Sequence, residues 1–162
     1  MLRVVRVSGW SMAPTLRPTD LLLTVRVGRA AARRGAVGRR GDLVVVGRQG
    51  VRVVKRVVAV GGDLVELEAG RLFVDGRAVD GRPRVRGALA RRWTVPAGHV
   101  FLAGDNAAAS DDSRVWAEPF VAVADVEARV VARLPRPVGL ARRSTPRRLS
   151  PGRRAAAARP GA

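Results

Sequence analysis

The chain is expected to fold mainly as β-structure, and three observations predict it. Short Val- and Leu-rich runs alternate with Gly, Asp and Pro punctuation through residues 1 to 134. The stretch Arg71-Leu72-Phe73-Val74-Asp75-Gly76-Arg77-Ala78-Val79 sets an Asp-Gly turn between apolar pairs, a strong hairpin signal. Hydrophobic residues make up 47% of the chain but aromatic ones only 4%, so the core must be built largely from Val, Leu and Ala.

Taken in order, strands are expected at 2–7, 21–26, 42–47, 51–60, 63–68, 71–75, 99–103 and 126–133. Residues 28–41 and 81–92 are rich in Arg, Ala and Gly and read as loops. No internal repeat stands out. With 162 residues the chain is one domain plus a tail: residues 1–134 form the folded domain, and 135–162 read as disordered. That tail holds eight arginines, prolines throughout, an Ala run and no acidic residue. Such a tail is either a solvated appendage or an arm for anionic lipid or nucleic acid.

Composition removes several function classes. Cysteine is absent, which excludes disulfides, zinc-finger spacings and a thiol nucleophile. With His99 as the single histidine, a His-cluster metal site and most His-based catalysis are not expected. No uncharged apolar run approaches the ~18 residues of a membrane-spanning helix. Charged residues begin at Arg3, so a secretory leader of the usual kind is not expected. The net charge is +18, and Lys55 is the only lysine among 31 basic residues. It either survives by chance or marks a place where a permanently charged arginine will not work.

Three segments stand apart from the β-pattern. In Ser8-Gly9-Trp10-Ser11-Met12-Ala13-Pro14-Thr15-Leu16, serines lie just past the first strand, and Gly9 permits close backbone approach. In Val51 to Val60, strand alternation places Lys55 on one face with Val51, Val53, Val57 and Ala59, while Arg52 and Arg56 point the other way. Burial lowers the pKa of an ammonium, and a lysine so lowered accepts a proton where arginine cannot. The alternative is a lysine that snorkels to water at a strand edge. In Gly104 to Arg114, small residues, carboxylates and an arginine crowd together, either as a polar turn with a local Asp–Arg pair or as part of a site. A serine needs a base to become a nucleophile, and Ser–Lys is a known variant of the triad logic.

Together these segments resemble signal peptidase I, the serine protease that removes secretory leaders. The resemblance spans roughly residues 4 to 133. Ser8 to Leu16 is similar to the nucleophile box and implies Ser11 as nucleophile, with Gly9 and Met12 shaping the backbone beside it. Arg40-Gly41-Asp42-Leu43-Val44-Val45-Val46 resembles the second, structural box. Val54-Lys55-Arg56-Val57-Val58-Ala59-Val60-Gly61-Gly62-Asp63 resembles the lysine box and implies Lys55 as general base. Val95 to Phe101, followed by Gly104-Asp105-Asn106 and Ser110-Asp111-Asp112-Ser113-Arg114, resembles the last box. There the lysine-orienting serine falls on Ser110 and a structural pair on Asp112 and Arg114. Trp116 also fits, and His99 falls where the family often has a structural histidine.

The resemblance implies coiled antiparallel sheets like those of the SOS-repressor autoproteases, with a short accessory insertion. It implies a substrate bound as an extended strand, with small side chains at −1 and −3 of the cleaved bond, and no metal or cofactor. The oxyanion is then held by the Ser11 backbone N–H; the extra serine hydroxyl that some members place two residues earlier is replaced by Gly9. The arginine that usually follows Gly-Asp-Asn is replaced by Ala107. The implied partners are a precursor protein or leader peptide, with an anionic membrane surface or an anchoring partner, and no specific nucleic acid. The implied location is the extracytoplasmic face of a membrane. Ten residues before Ser11 are too few for the typical anchor, so the alternative is a cytoplasmic protease that matures a soluble precursor, as for nickel superoxide dismutase. A basic nucleic-acid binder is the remote alternative, supported by net charge alone.

Overall fold

Residues 1–33, 35, 37–80 and 89–135 are described by the computed structural model. Among them the strands run β1 Leu2–Arg6, β2 Leu21–Arg26, β3 Leu43–Arg48, β4 Val51–Val60, β5 Leu64–Glu68, β6 Arg71–Val74, β7 Arg77–Ala78, β8 Leu89–Thr94, β9 His99–Ala103, β10 Phe120–Ala122 and β11 Val126–Leu134, with a short helix α1 at Arg29–Arg33. One sheet has seven strands in the order β1-β2-β11-β3-β4-β9-β10, and a second has four in the order β7-β6-β5-β8. Every pairing is antiparallel. The fold is therefore mainly β, as expected. The second sheet is built by the strands between β4 and β9.

Alternation explains how the strands serve more than one core. In β9, Val100 and Leu102 enter a cluster with Val44, Val46, Val57 and Val126, while Phe101 and Ala103 enter another with Val58, Val65, Val74 and Val95. The few aromatics concentrate in the second cluster, where Phe101 lies 5.2 Å from Trp93 and 6.4 Å from Phe120 between ring centroids. A third cluster joins Val7, Met12, Leu16 and Leu22 under the start of the chain. The Asp75-Gly76 hairpin forms as expected: φ is 49° and 76°, the left-handed pair that a two-residue turn of this twist requires.

The differences from expectation have local causes. Within 28–41 the chain forms α1, whose Ala32 is buried with Val37 in the first cluster. The 81–92 stretch ends in β8 instead of remaining a loop. Arg91 and Arg92 hide that strand in the sequence, but it pairs with β5, and Arg92 donates to the Glu66 carboxylate at 2.8 Å. The strand is stabilised by a partner that no local pattern announces. Residues 81–88 and 136–162, all of the expected 135–162 tail but its first residue, lie outside the described residues. Among the described residues no helix is long and apolar enough to cross a membrane.

Candidate active site

Three chain segments meet around Lys55, midway along β4. The first follows β1. The Val7 N–H donates to the Asp20 carbonyl at 2.9 Å, the last tie to the neighbouring strand before the chain turns. In that turn Ala13 N–H donates to the Trp10 carbonyl and Leu16 N–H to the Met12 carbonyl, at 3.0 and 2.8 Å. Met12 is only 1% exposed and plugs into the third cluster, whereas Trp10 is 60% exposed. Ser11 lies between this anchor and open solvent, half-buried.

The second segment is β4 itself. Lys55 sits opposite Val44 of β3 and is 3% exposed. Val53 and Val57 share its face and pack in the first cluster, as alternation predicts. Ala59 does not share it. The register shifts between Val57 and Ala59, and Ala59 joins the second cluster with Val58. That bulge ends the expected apolar face two residues beyond Lys55. The Lys55 Nζ donates to Ser110 Oγ at 3.0 Å. Burial lowers its pKa from the ordinary 10.5; Asp112 and Asp111 oppose the shift, Arg114 reinforces it, and burial prevails.

The third segment leaves β9. The Gly104 N–H donates to Asp112 Oδ2 at 2.8 Å, and the Asn106 N–H donates to the Ser11 carbonyl at 2.9 Å. The Asn106 side chain also reaches the Trp10 carbonyl at 3.2 Å. A single 3-10 turn, Ala107–Ala109, then returns the chain to Ser110. Gly104 is where Ser11 and Ser110 come together. A Cβ there would lie 2.2 Å from Ser110 Oγ and 2.4 Å from the Ser11 carbonyl oxygen. Ser113 ties the returning strand back, exchanging bonds with both backbone groups of Leu102 at 2.9 and 3.1 Å.

Asp112 is wholly buried beneath Ser110, which donates its hydroxyl to Oδ2. Arg114 grips the same carboxylate with Nε on Oδ1 at 2.8 Å and Nη2 on Oδ2. Burial disfavours the carboxylate, but Arg114, the Gly104 N–H and Ser110 outweigh it and hold the Asp112 pKa below its ordinary value. Asp112 and Arg114 form a buried ion pair directly under Ser110, the lysine's hydrogen-bond partner. Removing the guanidinium in Arg114→Ala leaves a buried carboxylate unmatched and is expected to cost about 3 kcal/mol. A depressed carboxylate pKa contributes stability above its ordinary value that is lost as pH falls through the folded value. Urea melts of wild type and Asp112→Asn between pH 7 and the acid limit check this: the wild-type decline in that range is expected to flatten in the variant.

One bracket was not anticipated from the sequence. Arg56, next to Lys55 but facing the other way, holds Asp105 in a two-pronged contact at 2.8 and 2.7 Å and also donates to the Gly41 carbonyl at 3.0 Å. Desolvation works against ionised Asp105, yet Arg56 and the Thr15 hydroxyl hold its pKa low. Asp105 and Asn106 therefore tie both flanks of the Ser11 turn. The only sequence signal was that an arginine adjoins the lysine and an aspartate adjoins the glycine. Ala107 is exposed and lines an open cavity of about 560 Å³ with Pro14, Arg56 and Arg114. His99 makes a local contact, with Nδ1 3.0 Å from the Ala97 carbonyl. Trp116 packs on the first cluster beneath the Arg48 guanidinium.

Comparison with known proteins follows the same segments. The family described as "Signal peptidase, peptidase S26" matches residues 1–134. The signal peptidase I of Pseudomonas aeruginosa is 28% identical over 156 residues, covering 70% of this chain and 55% of the relative. Mitochondrial inner membrane protease subunit 1 is 32% identical in Schizosaccharomyces pombe, covering 83% and 74%, and 34% identical in Xenopus tropicalis, covering 70% and 58%. The chain thus spans little more than half the length of several of the curated relatives it matches. A crystal structure of signal peptidase I from Enterococcus faecalis aligns with a TM-score of 0.43 at 28% identity, over 58% of this chain and 96% of that one.

Proposed function

The chain belongs to the signal peptidase, peptidase S26 family, and from that membership we propose that it is a serine endopeptidase cutting a precursor after a small residue, with Ser11 as nucleophile and Lys55 as general base. The observation that carries the reading is the state of Lys55: 3% exposed, its pKa lowered by burial, its amine held by Ser110. A lysine whose pKa is shifted toward the neutral form by burial suits the role of general base. Ser11 loses its proton to Lys55, and the alkoxide attacks the scissile carbonyl. The resulting ammonium protonates the leaving amine, and water then cleaves the acyl-enzyme through the same pair. Ser110, itself fixed by Asp112 and Arg114, orients the amine. The Ser11 backbone N–H stabilises the oxyanion. The substrate lies extended beside Ser11, with small residues at −1 and −3. The presence of a mitochondrial inner membrane protease among the relatives supports work at a membrane surface.

The test is cleavage of a peptide with an Ala-X-Ala leader end by wild type and Ser11→Ala. Cleavage after the second Ala by wild type alone is expected. An inert wild type in detergent and lipid, or an active Ser11→Ala, overturns the assignment.

Gly9 offers a second test. A Cβ at Gly9 meets nothing within 4 Å, so a serine fits without displacing a neighbour. If the oxyanion sits beside the Ser11 N–H, Gly9→Ser adds a hydroxyl donor there. One such donor is worth up to about 10²–10³ in kcat when fully aligned. For an added, unoptimised one, a gain of about tenfold in kcat with little change in KM is expected.

A further inference from the structure

The seven-strand sheet carries a second hollow, on the face turned away from Lys55. A groove of about 860 Å³ is lined by Arg3 and Val5 of β1, Arg26 of β2, Arg29 of α1, Val45 of β3 and Arg52 of β4. Alternation along β4 puts Arg52 and Lys55 on opposite faces, and neither Ser11, Lys55 nor Ser110 lines the groove.

Its charge is lopsided. Arg52 is matched to Glu127 at 2.7 Å. Arg3, Arg26 and Arg29 are exposed and form no ion pair with any described residue, and Asp125 is the only other carboxylate in the lining. The backbone holds these cations close together. Arg3 lies opposite Thr24, so Arg26, two residues further along β2, is its diagonal neighbour on the same face. The buried Thr24 hydroxyl donates to the Arg3 carbonyl at 3.0 Å, and the Arg26 N–H donates to the Met1 carbonyl at 3.1 Å. Like charges at such spacing repel unless an anion lies between them. The chain's own tail cannot supply that anion, because residues 135–162 contain no acidic residue.

The rest of the lining narrows the class of anion. Val5, Val45, Val126 and Ala128 form an aliphatic wall beside the guanidiniums, and no aromatic side chain lines the groove for a nucleobase to stack on. A tetrahedral phosphodiester presents oxygens to guanidiniums that converge from several directions, where a planar carboxylate offers one fork. A phospholipid carries that group joined to aliphatic chains.

We infer that the Arg3–Arg26–Arg29 groove binds the head group of an anionic phospholipid, with the first part of an acyl chain along Val5 and Val45. The inference stands apart from the endopeptidase reading: it uses no residue of that site, and its test needs no cleavage.

Calorimetric titration of the full chain with dihexanoyl phosphatidylglycerol, kept monomeric below its micelle concentration, tests it. A monomeric lipid separates a site from the general attraction of a chain of net charge +18 to an anionic bilayer. Saturable binding of one lipid per chain is expected, weakening at high salt. The triple variant Arg3→Gln, Arg26→Gln, Arg29→Gln is expected to lose affinity by about tenfold or more. A control triple outside the groove, Arg39→Gln, Arg77→Gln, Arg129→Gln, removes the same charge and is expected to stay within about twofold of wild type. The lipid is also expected to raise the Tm of wild type and control but not of the groove triple. No binding by wild type, or an equal loss in both triples, overturns the inference. Dihexanoyl phosphatidylcholine binding as tightly does so too, because the head-group charge then plays no part. Glycerol phosphate or inorganic phosphate binding as tightly as the lipid overturns the lipid in favour of a free phosphate. Tighter binding of a short oligonucleotide, lost in the groove triple, overturns it in favour of nucleic acid.

Discussion

On the proposed mechanism, Lys55→Arg is expected to abolish cleavage, with a loss in kcat/KM of about 10³-fold or more. Arginine preserves the positive charge and most of the length, but its guanidinium does not deprotonate and cannot accept the Ser11 proton. The result separates a base from a merely charged anchor, because an anchor tolerates the change. The pH profile carries the same information. Since burial lowers the Lys55 pKa from 10.5, the acid limb of kcat/KM falls where the amine takes up its proton, below that ordinary value. Stability follows with a defined sign. Between the folded and unfolded pKa values the unfolded chain binds the extra proton, so stability rises with pH across that interval and is lowest below it. Lys55→Met, which buries no charge, is expected to be inactive, at least as stable as wild type at pH 7, and without this slope. Denaturant melts from pH 6 to 10 measure it. A flat wild-type curve, or the same slope in the methionine variant, removes the desolvated lysine from the account.

Gly104→Ala is expected to abolish the proposed cleavage without altering Ser11, Lys55 or Ser110. Its Cβ would fall 2.2 Å from Ser110 Oγ, 2.4 Å from the Ser11 carbonyl and 2.7 Å from Ser110 Cβ. No rotamer relieves contacts made by Cβ itself, and one of the three is to backbone. The loop must move away from either the Ser11 turn or Ser110. Displacements of about 1 Å at such sites cost on the order of 10² in rate, and the forced shift costs about 1–3 kcal/mol in stability. Gly9→Ala is the matched control: its Cβ meets nothing within 4 Å, so stability is expected to stay within ~0.5 kcal/mol of wild type. Peptide cleavage and thermal melts of both variants, run side by side, decide the point. An active Gly104→Ala shows that close approach of the three segments is not required.

What could be read in advance was whatever repeats along the chain. The Val-rich runs marked most strands, Asp75-Gly76 marked the hairpin, and alternation placed Lys55 with Val53 and Val57. What escaped depends on partners distant in sequence. β8 carries adjacent arginines and is stable because β5 supplies Glu66 across from it. The bulge at Val58 arises from pairing with β9, so Ala59 left the face that simple alternation assigned to it. Ser110 had no local signature beyond being a serine in a polar turn; resemblance to a known family singled it out. Arg56 read only as a residue on the face away from the lysine; its grip on Asp105 was not visible in the pattern. The need for glycine at position 104 is invisible until Ser11 and Ser110 are seen on either side of it.

The clamp between Asn106 and the Trp10 carbonyl spans 96 residues of chain, and the Lys55 contact with Ser110 spans 55. In kinetic terms these are closures of high contact order, made after local hairpins such as Asp75-Gly76 have formed. Until they close, Lys55 is an ordinary hydrated ammonium and Ser11 an ordinary alcohol. In the proposed reading, the site is complete only once Gly104 has brought the Ser11 turn against Ser110, the partner of the buried amine, so the reactive arrangement exists in the folded chain and not in its separate segments.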